Sequence, residues 1–169
     1  MADRIKKLSL VALMAALANV LSVPPIAIPL SIGTFETSIH FSQLPIFVAG
    51  ILAGMTGGLV TGAVGGLFGA FVIPGIPFVI GGLAILGCSA GFFTKKFRPV
   101  FAGLLAWLVQ APYVAVTDYV WFSLFLQKTP QAAWVIVTSL MVKLTVEAVI
   151  SSVLADVVVT YLKRSRITL

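Results

Sequence analysis

The sequence predicts an all-α membrane protein: a single domain over 1–169, built as a bundle of six transmembrane helices with cytoplasmic termini and a long outer loop between helices 1 and 2. Three observations predict it. Of the 169 residues 60% are hydrophobic and 9% charged, and the mean hydropathy is +1.13, far above the apolar share of a soluble domain. The apolar residues come in long continuous runs, unlike the short alternating segments of a membrane barrel. The basic residues gather beside those runs, as Arg4, Lys6 and Lys7, then Lys95, Lys96 and Arg98, then Lys163, Arg164 and Arg166. In a soluble chain the net charge of +6 would point to nucleic acid or acidic partners. Here placement outweighs the sum, because basic clusters flanking apolar spans mark cytoplasmic ends.

The first span, about 6–23, has the basic start and apolar core shared by secretory signals and first membrane helices, and a chain membrane-bound throughout favours the latter. Pro24-Pro25 stops it, since ring and missing N–H oppose a continuing helix. The following "IAIPLSIGTFETSIHF" has Pro29, Gly33 and β-branched residues in rough alternation, which predicts an extended or hairpin-like loop. It contains no Lys or Arg, which favours the outer side. Residues 44–73 are apolar throughout, ~45 Å as one helix against a ~30 Å hydrocarbon core. The string "GMTGG" at 54–58 offers a turn, dividing the run into spans at about 42–55 and 57–72. "IPGIP" at 73–77 ends the third, and the remaining spans lie at about 78–93, 100–125 and 132–162. This division puts the N-terminus, the 95–98 loop and the C-terminus on one side; fusing the second and third spans would separate the basic clusters.

Several chemistries are excluded. Cys88 is the only cysteine and His40 the only histidine, so neither an intramolecular disulfide nor a Cys/His metal cage can be built. No Ser-His-Asp set is placeable with that histidine in a loop, and no paired carboxylates frame a substrate cleft. Neither an enzyme nor a cofactor is expected.

An ionisable side chain at bilayer depth costs ~2.5–3.5 kcal/mol on insertion scales, so it pairs or faces a wet cavity. Asp118, Lys143, Glu147 and Asp156 qualify. Lys143 and Glu147 are four apart and share a helical face with Ser139; measured from Ala132 they lie ~16 and ~22 Å deep, near the midplane. They form a structural pair, extended by Asp118, or contact a ligand. On span five, Gln110, Tyr113, Thr117, Asp118 and Trp121 fall within an arc of about 140°, a stripe suited to a flat, heteroatom-rich ring. For Tyr113 and Trp121 the alternative is an interfacial belt or packed core. Glu36, His40 and Phe41 of the outer loop could close over such a site, while a loop histidine also serves as a capping or solvated group. Asp156 points about 140° away from Lys143 and reads as a packing or partner residue. Gly58, Gly62 and Gly66, with Gly65 and Gly69 beside them, allow close helix packing or a cavity wall; Ala12 and Ala16 allow packing or docking of a second membrane protein.

The first helix "LVALMAALANVLS" with its Ala-x-x-x-Ala, the proline-broken outer loop and "LPIFVAGILAGMTGGLVTGAVGGL" together resemble the S component of energy-coupling factor vitamin importers, over most of the chain in architecture. The chain departs from that pattern at Met55, where many relatives carry proline. The resemblance implies a small helical bundle that binds a vitamin or related micronutrient near its outer face. It also implies docking, through Ala12 and Ala16, to a transmembrane coupling subunit carrying two cytoplasmic ATPases, and toppling of the S component in the membrane. The chain has no G-x-x-x-x-G-K-[ST] stretch, so ATP hydrolysis would belong to those partners. Riboflavin, thiamine, biotin and a corrin precursor remain open as substrates. So do a stand-alone ion-coupled transporter, with Asp118, Glu147 and Lys143 as a relay, and a structural subunit without ligand.

Overall fold

The computed structural model describes residues 2–23, 26–32, 35–72 and 77–165; of residues 2, 3, 30, 32, 35, 36 and 72 it describes the backbone alone. Pro24-Pro25, Gly33, residues 73–76 of the expected outer turn and Arg166 lie outside the described residues. The helices are α1 (Ala2–Val20), α2 (Gln43–Gly65), α3 (Leu67–Val72), α4 (Val79–Phe93), α5 (Pro99–Val120) and α6 (Pro130–Arg164). A π-helical turn, Trp121–Phe125, continues α5. Between α1 and α2 the alternating outer segment folds as an antiparallel hairpin, β1 (Ile28–Ile32) with β2 (Phe35–Ile39), pairing Ile28 with Ile39 and Ser31 with Glu36.

By length and composition three stretches could each cross a membrane: Gln43–Phe71, Pro99–Phe125 and Pro130–Arg164; the apolar α4 is shorter. The first of these is not one rod. Gly54, inside the "GMTGG" string, has φ 81° and ψ −172°, a left-handed backbone that glycine adopts without steric penalty. A Cβ added at Gly58 would lie 2.8 Å from the Cα of Gly50, whereas eight residues of straight helix would separate them by ~12 Å. The chain therefore reverses at Gly54, and the two limbs of α2 lie side by side. The first limb, 43–53, is ~16 Å long, half a hydrocarbon core, so its N-terminal end begins at mid-depth.

The second limb packs directly against the backbone of α4. A Cβ at Gly58 would run into the Gly87 carbonyl and one at Gly62 into the Leu83 carbonyl, while at Gly50 it would stand 2.6 Å from the Gly87 carbonyl. On the other side α1 runs along the same limb, Val11 against Gly57 and Ala18 against Gly65. Asn19 fastens this contact. Its Nδ2 donates to the carbonyls of Ala15 at 3.0 Å and Val64 at 2.9 Å, and its Oδ1 accepts the Phe68 N–H at 2.9 Å. Val64 and Phe68 flank Gly66, where α2 gives way to α3, and Asn19 takes up their carbonyl and N–H while Gly66 itself keeps helical hydrogen bonds to Gly62 and Ala70.

Apolar residues face outward, as hydrocarbon solvent requires: Phe71, Phe101, Leu108, Val116, Val142 and Val157 are all more than half exposed. Ala12 and Ala16 are also exposed, on the side of α1 that turns away from α2. The Lys95 ammonium lies 3.9 Å from the Met55 sulfur, and Arg98 pairs with Asp156 at 3.6 Å. These contacts bring the Gly54 reversal, the 95–98 loop and the C-terminal part of α6 to one end of the bundle. The start of α1, with Arg4, Lys6 and Lys7, lies at that end too, because Val11 and Ala18 meet Gly57 and Gly65 in register.

Because the displaced atoms are backbone, Gly58→Ala, Gly62→Ala or Gly87→Ala should each destabilise the bundle by about 1–3 kcal/mol. Gly69→Ala should be neutral, since its Cβ would meet only Val79 Cγ1 at 3.5 Å. Thermal unfolding in detergent separates the two groups.

Candidate ligand-binding site

At the end of the bundle away from the basic clusters the helices enclose a cavity whose space for water centres is about 120 Å³. Its wall is shared. The turn after α1 contributes Ser22; β2 and the following loop contribute Thr37, Ser38, His40 and Ser42; α2 contributes Gln43 at one end and Gly65 at the other. Gly66 and Gly69 add bare backbone, α4 with the preceding Phe78 adds an apolar side, α5 supplies Gln110, Thr117 and Asp118, and α6 supplies Lys143. The glycine stripe thus does two things: Gly58 and Gly62 admit α4, and Gly65, Gly66 and Gly69 face the cavity.

One helical turn sets Lys143 Nζ 3.3 Å from Glu147 Oε1, with side-chain exposures of 6% and 0%. The same carboxylate oxygen accepts the backbone N–H of His40 at 2.8 Å. His40 Nδ1 is hydrogen-bonded to Ser42 Oγ at 2.9 Å. The outer loop therefore enters the bundle and forms part of the cavity wall at the level of Glu147. His40, on that loop and outside the helices, is held uncharged: burial first, and then the Lys143 ammonium, push its pKa from 6.5 down to about 3.

Of the residues singled out from sequence, Gln110, Thr117, Asp118, Lys143 and His40 line the cavity, and Glu147 holds Lys143 from behind. The remaining members of the α5 arc face α4. The Tyr113 hydroxyl donates to the Phe78 carbonyl at 3.4 Å, and Trp121 stacks on Phe125 at 4.7 Å and meets Phe78 edge-on at 6.1 Å. An arc of about 140° is wider than one cavity wall, so part of it serves helix packing. Ser139 donates to the Val135 carbonyl at 2.9 Å and stands off the cavity. Glu36 sits in β2 opposite Ser31, and its side chain lies outside the described residues.

The polar residues that sequence reasoning missed are Gln43, Ser42, Ser22, Thr37 and Ser38. Gln43 matters most. It is 1% exposed, and its amide nitrogen and oxygen both lack a hydrogen-bond partner among the described residues. A polar side chain at the start of an apolar run reads as an interface residue; only the half-length limb puts it at depth. Gln110 Oε1 is likewise buried and unpartnered. Asp118 is 7% exposed and, among the described residues, makes neither a hydrogen bond nor an ion pair. The described residues contain no group of three or more His, Cys, Asp or Glu placed to hold a metal ion. The arrangement is built to hold and orient a small polar molecule.

A family model described as ECF transporter, substrate-specific component, matches residues 6–159. A solved S component of a bacterial ECF transporter superposes with a TM-score of 0.69 at 18% sequence identity, over 95% of this chain and 97% of that one, a likeness of fold. No curated protein matches the sequence significantly.

Removing one member of a buried ion pair strands the other. Lys143→Met should therefore destabilise the protein by about 3–5 kcal/mol, and the double variant Lys143→Met, Glu147→Leu should recover part of that loss. Thermal melts of the two variants, compared at one pH and in one detergent, check this.

Proposed function

Since the chain belongs to the family of substrate-specific components of ECF transporters, a family of multi-pass membrane proteins, we propose that its cavity captures a vitamin or related micronutrient at the outer face of a prokaryotic cell membrane and delivers it inward with an ATP-driven module. One observation carries the reading: an unpartnered Gln43 amide, an unpartnered Gln110 Oε1 and an unpaired Asp118 share the wall of one cavity between the helices. In hydrocarbon such groups persist where they meet water or a polar ligand. The topology proposed with it is six crossings, the two limbs of α2 counted separately and both termini cytoplasmic. It is supported by the basic clusters sharing the end opposite the cavity.

The module would comprise a transmembrane coupling subunit and two ATPase subunits. Ala12 and Ala16 would form the docking face, being exposed and small on a helix whose other side is already packed. Two measurements test these assignments. Mass spectrometry of the small molecule that co-purifies identifies the substrate. Its affinity should then fall at least about tenfold in Asp118→Asn, and in the Lys143 and Glu147 variants that remain folded. Unchanged affinity in all three would remove the site. Ala12→Trp and Ala16→Trp should weaken assembly with the coupling subunit in a pull-down while leaving ligand affinity intact; assembly that tolerates both would exclude α1 as the docking face.

A further inference from the structure

The charge of the cavity says what it accepts. Among the described residues four ionisable side chains lie in or against it: Lys143, Glu147, Asp118 and His40. Lys143 and Glu147 stand 3.3 Å apart, the glutamate fully buried, and their charges cancel. His40 is uncharged. Asp118 remains, on the wall and without an ion-pair partner. The cavity therefore holds one carboxyl group that no cation of the described protein pairs with directly.

A carboxylate or phosphate entering this cavity would find no free cation, because Lys143, the only one among the described residues that line it, is already engaged by Glu147. A positively charged ligand would supply the partner that Asp118 lacks. The neutral part of the wall is equally specific. Gln43 and Gln110, 1% and 3% exposed, each present a terminal amide with an unused acceptor, and Gln43 an unused donor as well. A primary amide matches a ring edge that carries a donor beside an acceptor, as in amino-substituted nitrogen heterocycles. The bare backbone at Gly69, whose absent side chain would meet only Val79 Cγ1 at 3.5 Å, leaves room for a flat ring to lie against the wall.

Resting on the substrate-binding reading above, we infer that the cavity takes a small organic cation, its charged nitrogen set against Asp118 and its neutral heterocyclic edge met by the Gln43 and Gln110 amides. The substrate is therefore a monocation at neutral pH, and carboxylated or phosphorylated compounds are rejected. Asp118 is the residue that selects the sign of charge. Having no partner within the described protein, it can be replaced without stranding another group.

The experiment uses the full chain purified in detergent. The small molecule it carries is extracted and identified by mass spectrometry. Thermal shift and calorimetric titration are run in parallel with thiamine as cationic probe, riboflavin as neutral probe and biotin as anionic probe. The expected results are an extracted monocation, and an affinity for it that falls about 100-fold or more in Asp118→Asn but is largely retained in Asp118→Glu. A neutral or anionic extracted compound overturns the charge assignment and leaves the substrate-binding reading standing. So does tighter binding of riboflavin or biotin than of thiamine when nothing is extracted, or an Asp118→Asn variant of unchanged affinity. No extractable molecule together with no shift from any probe overturns the substrate-binding reading, and this inference falls with it.

Discussion

A lysine ammonium and a fully buried carboxylate, 3.3 Å apart on one turn of α6, organise the outer half of this molecule. Neither charge is tolerable alone in hydrocarbon, so the pair is obligatory once one member is present. The glutamate also accepts the His40 N–H, which draws the chain after β2 down to mid-depth instead of leaving it at the surface. A short first limb of α2 follows from that starting level, because a helix that begins halfway needs only 43–53 to reach the reversal at Gly54.

Close backbone contact makes the rest possible. Membrane helices gain little from hiding apolar surface from one another, so they associate where dispersion and polar contacts are densest. Gly50, Gly58, Gly62 and Gly87 bring α2 and α4 to backbone distance. Toward the other end the same row continues as Gly65, packed against Ala18, and Gly66, packed against Ile80, and opens at Gly69, beside the cavity that all three border. The tight seam and the hollow are two ends of one glycine row.

Much of this was legible beforehand. Alternation between Pro29 and Phe41 indicated the hairpin, "GMTGG" the reversal, and four-residue spacing the Lys143–Glu147 pair. Gln110, Thr117 and Asp118 were recognisable because polar groups on an apolar helix need a reason. Gln43 was not, because its depth depends on where α2 begins, which the hydrogen bond from His40 to Glu147, spanning 107 residues of sequence, determines. Tyr113 and Trp121 share the α5 arc with the cavity residues, and nothing in helical spacing says which part of an arc an adjacent helix covers.

Composition and periodicity alone determined that this chain lives in a membrane as helices, and which side chains could not be left facing lipid. Those properties depend on local transfer free energies, which each residue carries with it wherever it is placed. Which polar groups share one cavity, which carboxylate is cancelled by Lys143 and which is left over were decided by tertiary structure. Such facts are distances between segments far apart in the chain, set by glycine contacts and by one buried hydrogen bond.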